Sequence, residues 1–134
     1  MRLWHYSILP VLDNKHLISQ WRECIAIKRQ WEKGTLKHRL VSYVMDYDKR
    51  YLVKYTGLIY NEMCKRNIKC RDCYWIEMIR FCGFEEYYMS GMYTEHNDRY
   101  LKQCYYNLQE KADRGIINTE EWEKIEEWKK SKNI

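Results

Sequence analysis

The chain has 134 residues, and its 24 lysines and arginines against 19 aspartates and glutamates give a formal net charge of +5. Its apolar runs are only a few residues long, far below the roughly 20 that cross a bilayer. The opening residues lack both the basic and the apolar region of a signal peptide, so we expect a soluble, cytoplasmic protein. One proline and no Ser/Gly-rich linker predict a single domain over residues 1–134.

The charge is unevenly distributed along the chain. Residues 1–80 contain 16 basic and 8 acidic side chains, whereas residues 81–134 contain 8 basic and 11 acidic ones. The basic half is therefore the part expected to bind a polyanion. A generally solvated basic surface explains the charge alone equally well, so both interpretations stay open at this point.

Apolar residues recurring at helical spacing predict an all-α fold of four to five helices with irregular loops. The predicted helices cover residues 14–32, 49–66, about 72–82, 97–114 and a last segment from about Thr119. Expected boundary residues are Asp13 and Asp72 as N-caps and Gly34, Asn67, Gly83 and Gly115 as terminators.

Two connections are less regular in sequence. The alternation of Val41, Tyr43 and Val44 is typical of a short extended piece. Residues 85–93, which include four aromatic or glycine positions, predict an irregular aromatic connection. With only two phenylalanines in the chain, most of its tryptophans and tyrosines are expected to fill the core.

Four polar residues are expected on one side of the first helix. His16 and Glu23 are seven residues apart, which is two helical turns, and Arg22 and Arg29 have the same spacing. An imidazole, a carboxylate and two guanidinium groups together suit an anionic substrate. The alternative is that Glu23 forms an ordinary helix ion pair and the arginines face water.

Three stretches resemble the pyrimidine-dimer DNA glycosylase family, which includes the phage endonuclease V type and small bacterial relatives. They are the opening Met1-Arg2, residues 12–23 (LDNKHLISQWRE) and residues 93–101 (YTEHNDRYL). The opening is the most specific of the three. Damaged double-stranded DNA is the substrate that this resemblance implies, and it suggests a nucleoid-associated protein.

The resemblance implies a glycosylase and abasic-site lyase that works through the α-amine of its first residue. Near neutral pH a useful fraction of such an amine is the free-base nucleophile, because its reference pKa is about 8. The resemblance assigns Met1 as the nucleophile and Glu23 as the acidic group that manages the sugar cation and the protons. It also implies that Arg2, His16 and Arg22 bind the DNA.

The sequence departs from the phage enzyme at two places. The phage enzyme uses a processed threonine, whereas here the bulky Arg2 is expected to prevent removal of Met1. Ala26 stands where the phage enzyme has an arginine, and Lys28 or Arg29 are candidates to supply that charge. This second departure bears on the contacts specific to pyrimidine dimers.

The basic loop that contains Lys37, His38 and Arg39 supplies further candidates for contacts with the DNA backbone. Binding through these residues, together with Arg29, predicts a steep dependence on salt. We expect a monomer that acts without an obligate protein partner, and without a membrane partner.

The cysteines form a C-x5-C-x2-C-x8-C array at Cys64, Cys70, Cys73 and Cys82, a pattern that raises the question of a metal. Only Cys70 and Cys73 have the spacing of metal ligands, and helix packing is expected to bury Cys64 and Cys82. We therefore predict no metal and no cofactor. Cys24 is expected to be a packed thiol and not a nucleophile.

Three functions remain open from the sequence. The first is a dimer-specific glycosylase and lyase. The second is a lyase or glycosylase for abasic sites or another lesion, and the third is a non-catalytic helical DNA-binding protein.

Overall fold

Helices account for all the regular secondary structure in the two ranges that the structure, a computed structural model, describes: residues 1–84 and 90–134. The α-helices are α1 (Asn14–Lys33), α2 (Lys49–Lys65), α3 (Asp72–Phe81), α4 (Asp98–Asp113) and α5 (Thr119–Lys132), with 3-10 segments at Tyr6–Val11 and Ser42–Asp46. The all-α prediction is confirmed. Within those two ranges, no helix combines the length and the apolar character that a membrane span requires.

Several helix boundaries follow the capping residues seen in the sequence. The Asp13 carboxylate accepts a hydrogen bond from the His16 N–H at the start of α1, and Gly34 ends the helix in the left-handed conformation at φ 70°. Asn67 has a φ of 58° just beyond α2, as expected of its terminator. Asn97 and Asn118 cap α4 and α5 through their side-chain oxygens.

Two local predictions are wrong. Asp72 is the first residue of α3 and not its cap, because Arg71 occupies the cap position without a side-chain hydrogen bond. The carboxylate of Asp72 instead lies in the first turn, where the helix dipole favours a negative charge. The predicted extended piece at Val41 to Val44 enters a 3-10 helix, whose i, i+3 spacing places both valines, each fully buried, on one face.

The predicted connection at 85–93 falls partly outside the described residues, since 85–89 are not among them. Residues 90–93 lie in no helix or strand. Tyr93 at the end of that stretch is buried, and its ring lies edge-on to those of Tyr43 and Tyr47, with centroids 5.3 and 4.9 Å away. The irregular part of the connection therefore still contributes an aromatic side chain to the core.

The core is formed mainly where α1 and α2 face each other, with the first twelve residues packed beside them. Cys24 of α1 is fully buried there, and burial raises its pKa to about 12, so the thiol is a packing group as predicted. Cys64 is exposed, contrary to expectation, because it follows the buried Met63 and points about 100° away around α2. Cys82 is buried as expected.

Candidate active site at the front of the first helix

Side chains, and not a β-sheet, hold the backbone of the first residues in place. Gln20 of α1 accepts a hydrogen bond from the Trp4 N–H at 2.7 Å and donates one to the Arg2 carbonyl at 2.9 Å. The Tyr55 hydroxyl of α2 donates to the Trp4 carbonyl at 2.6 Å. Because buried backbone polar groups require partners, these bonds fix where the segment lies between α1 and α2.

The other side of the same segment is held from α4 and the loop before it. Tyr100 donates a hydrogen bond to the Leu3 carbonyl, and the Tyr6 N–H donates to His96 Nδ1 at 3.2 Å. Since Nδ1 of His96 accepts, its Nε2 carries the proton and donates to the Tyr43 hydroxyl at 2.8 Å. Burial lowers the pKa of His96 to about 3, so the ring is neutral at physiological pH.

A pocket of about 270 Å³ opens beside this anchored segment. Its walls consist of Met1, Arg2, Trp4, His16, Ser19, Glu23, Asn107 and Lys111. The structure thus brings together four of the residues that the sequence singled out: Met1, Arg2, His16 and Glu23. Met1 is 41% exposed, which leaves the start of the chain accessible from solvent.

Glu23 is the carboxylate of this pocket. Its Oε2 accepts a hydrogen bond from Gln20 Nε2 at 2.9 Å, and Glu23 forms no ion pair with the residues that the structure describes. Partial burial raises its pKa, while the N-terminal amine, His16, the Gln20 hydrogen bond and His38 each act in the opposite direction. The alternative of an ordinary helix ion pair therefore does not describe Glu23.

His16 is held in the pocket wall by Asp13. The two carboxylate oxygens of Asp13 lie 2.7 and 2.9 Å from His16 Nδ1, and the same carboxylate caps α1. Asp13 is only 2% exposed, and the Trp4 ring meets the imidazole edge-on with centroids 5.8 Å apart. This packing fixes the plane of the His16 ring relative to the pocket.

Asn107 and Lys111 are pocket residues that the sequence analysis missed. They lie four residues apart on α4 and therefore share a face, a spacing that is visible in the sequence. What the sequence does not reveal is that this face of α4 lies opposite Met1 and Glu23. Arg2 contributes a further cation, and its guanidinium carbon lies 5.7 Å from the centroid of the Trp4 ring.

The remaining predicted DNA-binding residues lie outside the pocket walls. Arg22, Lys37 and Arg39 are exposed, and His38 lies within electrostatic reach of Glu23. Arg29 donates two hydrogen bonds to Glu77 of α3, both at 2.9 Å, and does not reach the pocket. A role for Arg29 in DNA binding stays a prediction.

A larger hollow of about 550 Å³ lies elsewhere, between the first 3-10 segment, α2 and α5. Its Arg66 donates to the Leu12 and Pro10 carbonyls at 2.6 and 3.0 Å and pairs with Glu62. These bonds connect the end of α2 to the segment before α1, and they engage the Arg66 guanidinium with protein groups. The smaller pocket, which holds Met1 and Glu23, is the better candidate for chemistry.

Among residues 1–84 and 90–134, no three His, Cys, Asp or Glu side chains lie close enough together to hold a metal ion.

The first 76 residues match the family model described as pyrimidine dimer DNA glycosylase. The matched range includes Met1, His16, Glu23 and the segment between them, and it ends before Asn107 and Lys111. No curated protein and no solved structure matches the chain. Since the match covers more than half of its residues, the chain belongs to the pyrimidine dimer DNA glycosylase family.

Proposed function

We propose that this protein excises pyrimidine dimers from double-stranded DNA through the α-amine of Met1 and then cleaves the strand at the resulting abasic site. The observation that carries the proposal is that Met1 and Glu23 line the same pocket. Burial raises the pKa of Glu23, and the nearby N-terminal amine only partly offsets this effect. A free amine and a carboxyl group with a raised pKa are the two groups that imine chemistry on a sugar requires.

The first step forms a bond between the Met1 nitrogen and C1′ of the damaged nucleotide. The bond from C1′ to the base breaks, and the base leaves with the electron pair and takes up a proton. The Met1 nitrogen then loses a proton to Glu23, and its lone pair forms the C1′=N bond as the C1′–O4′ electron pair moves onto O4′. O4′ takes up a proton, which leaves a protonated imine between C1′ and Met1. Glu23 exchanges protons during this step, because its raised pKa lies nearer to neutral than that of a solvated carboxyl group.

The second step is β-elimination. The imine nitrogen withdraws electrons from C2′, and the ionised Glu23 removes a C2′ proton. The electron pair forms the C2′–C3′ double bond, and the 3′ phosphate leaves with the C3′–O bonding pair. Water then hydrolyses the imine and regenerates the Met1 amine, so no cofactor is required.

Basic residues in and around the pocket are suited to hold the two phosphates that flank the damaged sugar. Arg2, His16 and Lys111 line the pocket itself, and His16 is oriented by Asp13. The exposed Arg22, Lys37, His38 and Arg39 extend this surface toward the duplex. Because duplex DNA hides the sugar carbon, binding includes extrusion of a nucleotide, which costs a few kcal/mol and least at damaged pairs.

Borohydride reduction of the imine tests the proposal directly. The protein is mixed with a duplex that contains one abasic site, reduced and analysed by intact mass and peptide mapping. We expect a covalent adduct on the peptide that begins with Met1. An adduct on Lys111, the other amine in the pocket walls, would contradict the assignment, and the Lys111→Arg variant is the matched control. Adding one residue before Met1 moves the amine and is expected to abolish trapping.

A lyase for abasic sites or another lesion is the second candidate function, and a specific observation favours it. Ala26 lacks the arginine of the phage enzyme, and both Lys28 and Arg29 are bound to Glu77. Comparing duplexes that carry a dimer with duplexes that carry an abasic site separates the two functions. A non-catalytic DNA-binding protein would instead show salt-sensitive binding without any trapping.

A further inference from the structure

Gln20 makes four hydrogen bonds although it is fully buried. Its Oε1 accepts from the Trp4 N–H at 2.7 Å and from the Tyr55 hydroxyl at 3.1 Å. Its Nε2 donates to the Arg2 carbonyl and to Glu23 Oε2, both at 2.9 Å. A backbone N–H only donates and a carbonyl only accepts, so these partners fix which way the amide points.

This orientation has a consequence for the carboxyl group of Glu23. The Gln20 N–H points at Oε2, which must therefore present a lone pair to it. A proton on the same oxygen would compete with that hydrogen bond, whereas a proton on Oε1 leaves it intact. Proton transfer through Oε1 would therefore leave the hydrogen bond from Gln20 in place.

The same nitrogen of Gln20 also sets the distance between the two reacting groups. One of its hydrogens binds the carbonyl of Arg2, the residue that follows Met1, and the other binds Glu23. Gln20 thus connects the start of the chain to the carboxylate, whereas Tyr55, Tyr100 and His96 hold the segment without contacting Glu23. Tyr55 holds the same segment through the Trp4 carbonyl, and its hydroxyl contacts Gln20 and not Glu23.

We infer that Gln20 is a positioning residue for the reaction, which aligns the Met1 amine with Glu23 and reserves Glu23 Oε1 for proton transfer. This inference rests on the proposed function. Gln20 reaches no substrate atom in this arrangement, because all four of its hydrogen-bonding positions are occupied by protein groups. A buried amide that only stabilised the fold would not need a bond to the pocket carboxylate.

The test is single-turnover nicking of an abasic duplex as a function of pH, with Gln20→Met as the first variant. Methionine has a similar length but cannot donate to Glu23, so the carboxyl group becomes harder to ionise. We expect the nicking rate to fall about tenfold to hundredfold, as misplacement of reacting groups typically does. The acid limb of the pH–rate profile is expected to move to higher pH, while affinity for the duplex changes less than about threefold.

Two control variants separate positioning from stability. Tyr55→Phe removes the hydroxyl contacts with the Trp4 carbonyl and with Gln20 Oε1 but keeps the bond from Gln20 to Glu23, so it is expected to slow nicking without moving the acid limb. Thr56→Val removes a buried hydrogen bond to the Leu52 carbonyl on α2, away from the pocket. It is expected to lower Tm with neither kinetic effect.

Several outcomes would overturn the inference. One is a folded Gln20→Met protein whose nicking rate and acid limb match those of the wild type. Another is a Thr56→Val protein whose acid limb moves to higher pH as far as that of Gln20→Met. If Gln20→Met does not fold, Gln20→Glu takes its place, because its carboxylate beside Glu23 is expected to move the acid limb even further. If neither folds, Gln20→Asn takes their place, because the shorter amide cannot bind both the Arg2 carbonyl and Glu23, and a wild-type rate and acid limb in that variant contradict the inference.

The proposed function fails in a different way. If the wild-type protein is not trapped at Met1, the imine mechanism is wrong whatever Gln20 does. If it is trapped there and the Gln20 variants behave like the wild type, only the inference on Gln20 falls.

Discussion

Two glutamates beside α1 lie in different surroundings, one in the pocket, here the front region, and one beside Lys28 and Arg29, here the rear region. At the front, Glu23 lies in the pocket with an amide as its hydrogen-bond donor and a raised pKa. At the rear, Glu77 of α3 meets Lys28 at 2.8 Å and Arg29 at 2.9 Å, and these two cations lower its pKa to about 2. Glu77 is thus a structural anion, whereas Glu23 forms no ion pair with the residues that the structure describes.

The contrast shows that the content of charged residues does not reveal which carboxylate is reactive. Both regions contain arginine, lysine or histidine near a glutamate. What differs is whether the cations contact the carboxylate directly or surround an open space that a substrate can fill. Around Glu23 the cations line a pocket, so their charges remain available for phosphates.

The largest expected difference between the two regions is in the rate of nicking after the glutamate of each region is neutralised. Glu23→Gln is expected to slow nicking of an abasic duplex about 10²- to 10⁴-fold, because the general base for β-elimination is lost. Glu77→Gln is expected to leave the nicking rate within about twofold, since Glu77 does not line the pocket. Single-turnover kinetics at saturating protein measure both, and an equal loss in the two variants would remove the distinction.

A smaller effect is expected from the cations of the two regions. Lys111→Ala removes a pocket charge and is expected to weaken binding of an abasic duplex about tenfold, with the salt slope reduced by about 1. Arg29→Ala is expected to weaken binding less, because Glu77 already neutralises that guanidinium. Titrations at several salt concentrations measure both variants, and a larger loss for Arg29→Ala would reverse the comparison.

The sequence predicts α1 well because its determinants are local. Asp13 and Gly34 bracket the helix, and the spacing of His16 and Glu23 follows from helical geometry alone. Both side chains accordingly lie on one side of α1, where they line the same pocket.

The sequence does not predict Gln20 or Lys111, because their partners are distant along the chain. Gln20 lies 16 residues from Trp4 and 35 from Tyr55. The one local signal is a polar residue at a position whose helical neighbours, Leu17 and Cys24, are both buried. Such a pattern marks a polar group with a buried partner but does not identify the partner.

Arg29 shows another limit of local patterns, because the fold gives it a partner that its spacing does not indicate. It has the same spacing from Arg22 as Glu23 has from His16, and on the sequence it belongs to the same polar stripe. Glu77, 48 residues away, binds it from α3, and nothing in the local sequence indicates that pairing.

The stability of the rear region gives a third test. Glu77→Gln is expected to lower the free energy of unfolding by about 1 kcal/mol at neutral pH, since Lys28 retains its bond to Glu32 at 2.7 Å. A lowered carboxyl pKa stabilises the folded state above the ordinary value of 4.5 and loses that effect as pH falls toward about 2. Urea unfolding should therefore show a constant difference between wild type and variant above about pH 4.5 that closes at lower pH.

The smallest expected effect is that of Glu23→Gln on the free energy of unfolding, and its sign is opposite to that of Glu77→Gln. Because the pKa of Glu23 is raised, the folded state binds more protons than the unfolded state just above pH 4.5, so its stability falls as pH rises through that window. At neutral pH the ionised carboxylate destabilises the fold, and Glu23→Gln is expected to raise the free energy of unfolding by less than about 1 kcal/mol. Unfolding curves at pH 7 and pH 4.5 measure the gain and its disappearance. A variant that is both inactive and less stable than wild type at pH 7 would place Glu23 among the structural anions beside Glu77.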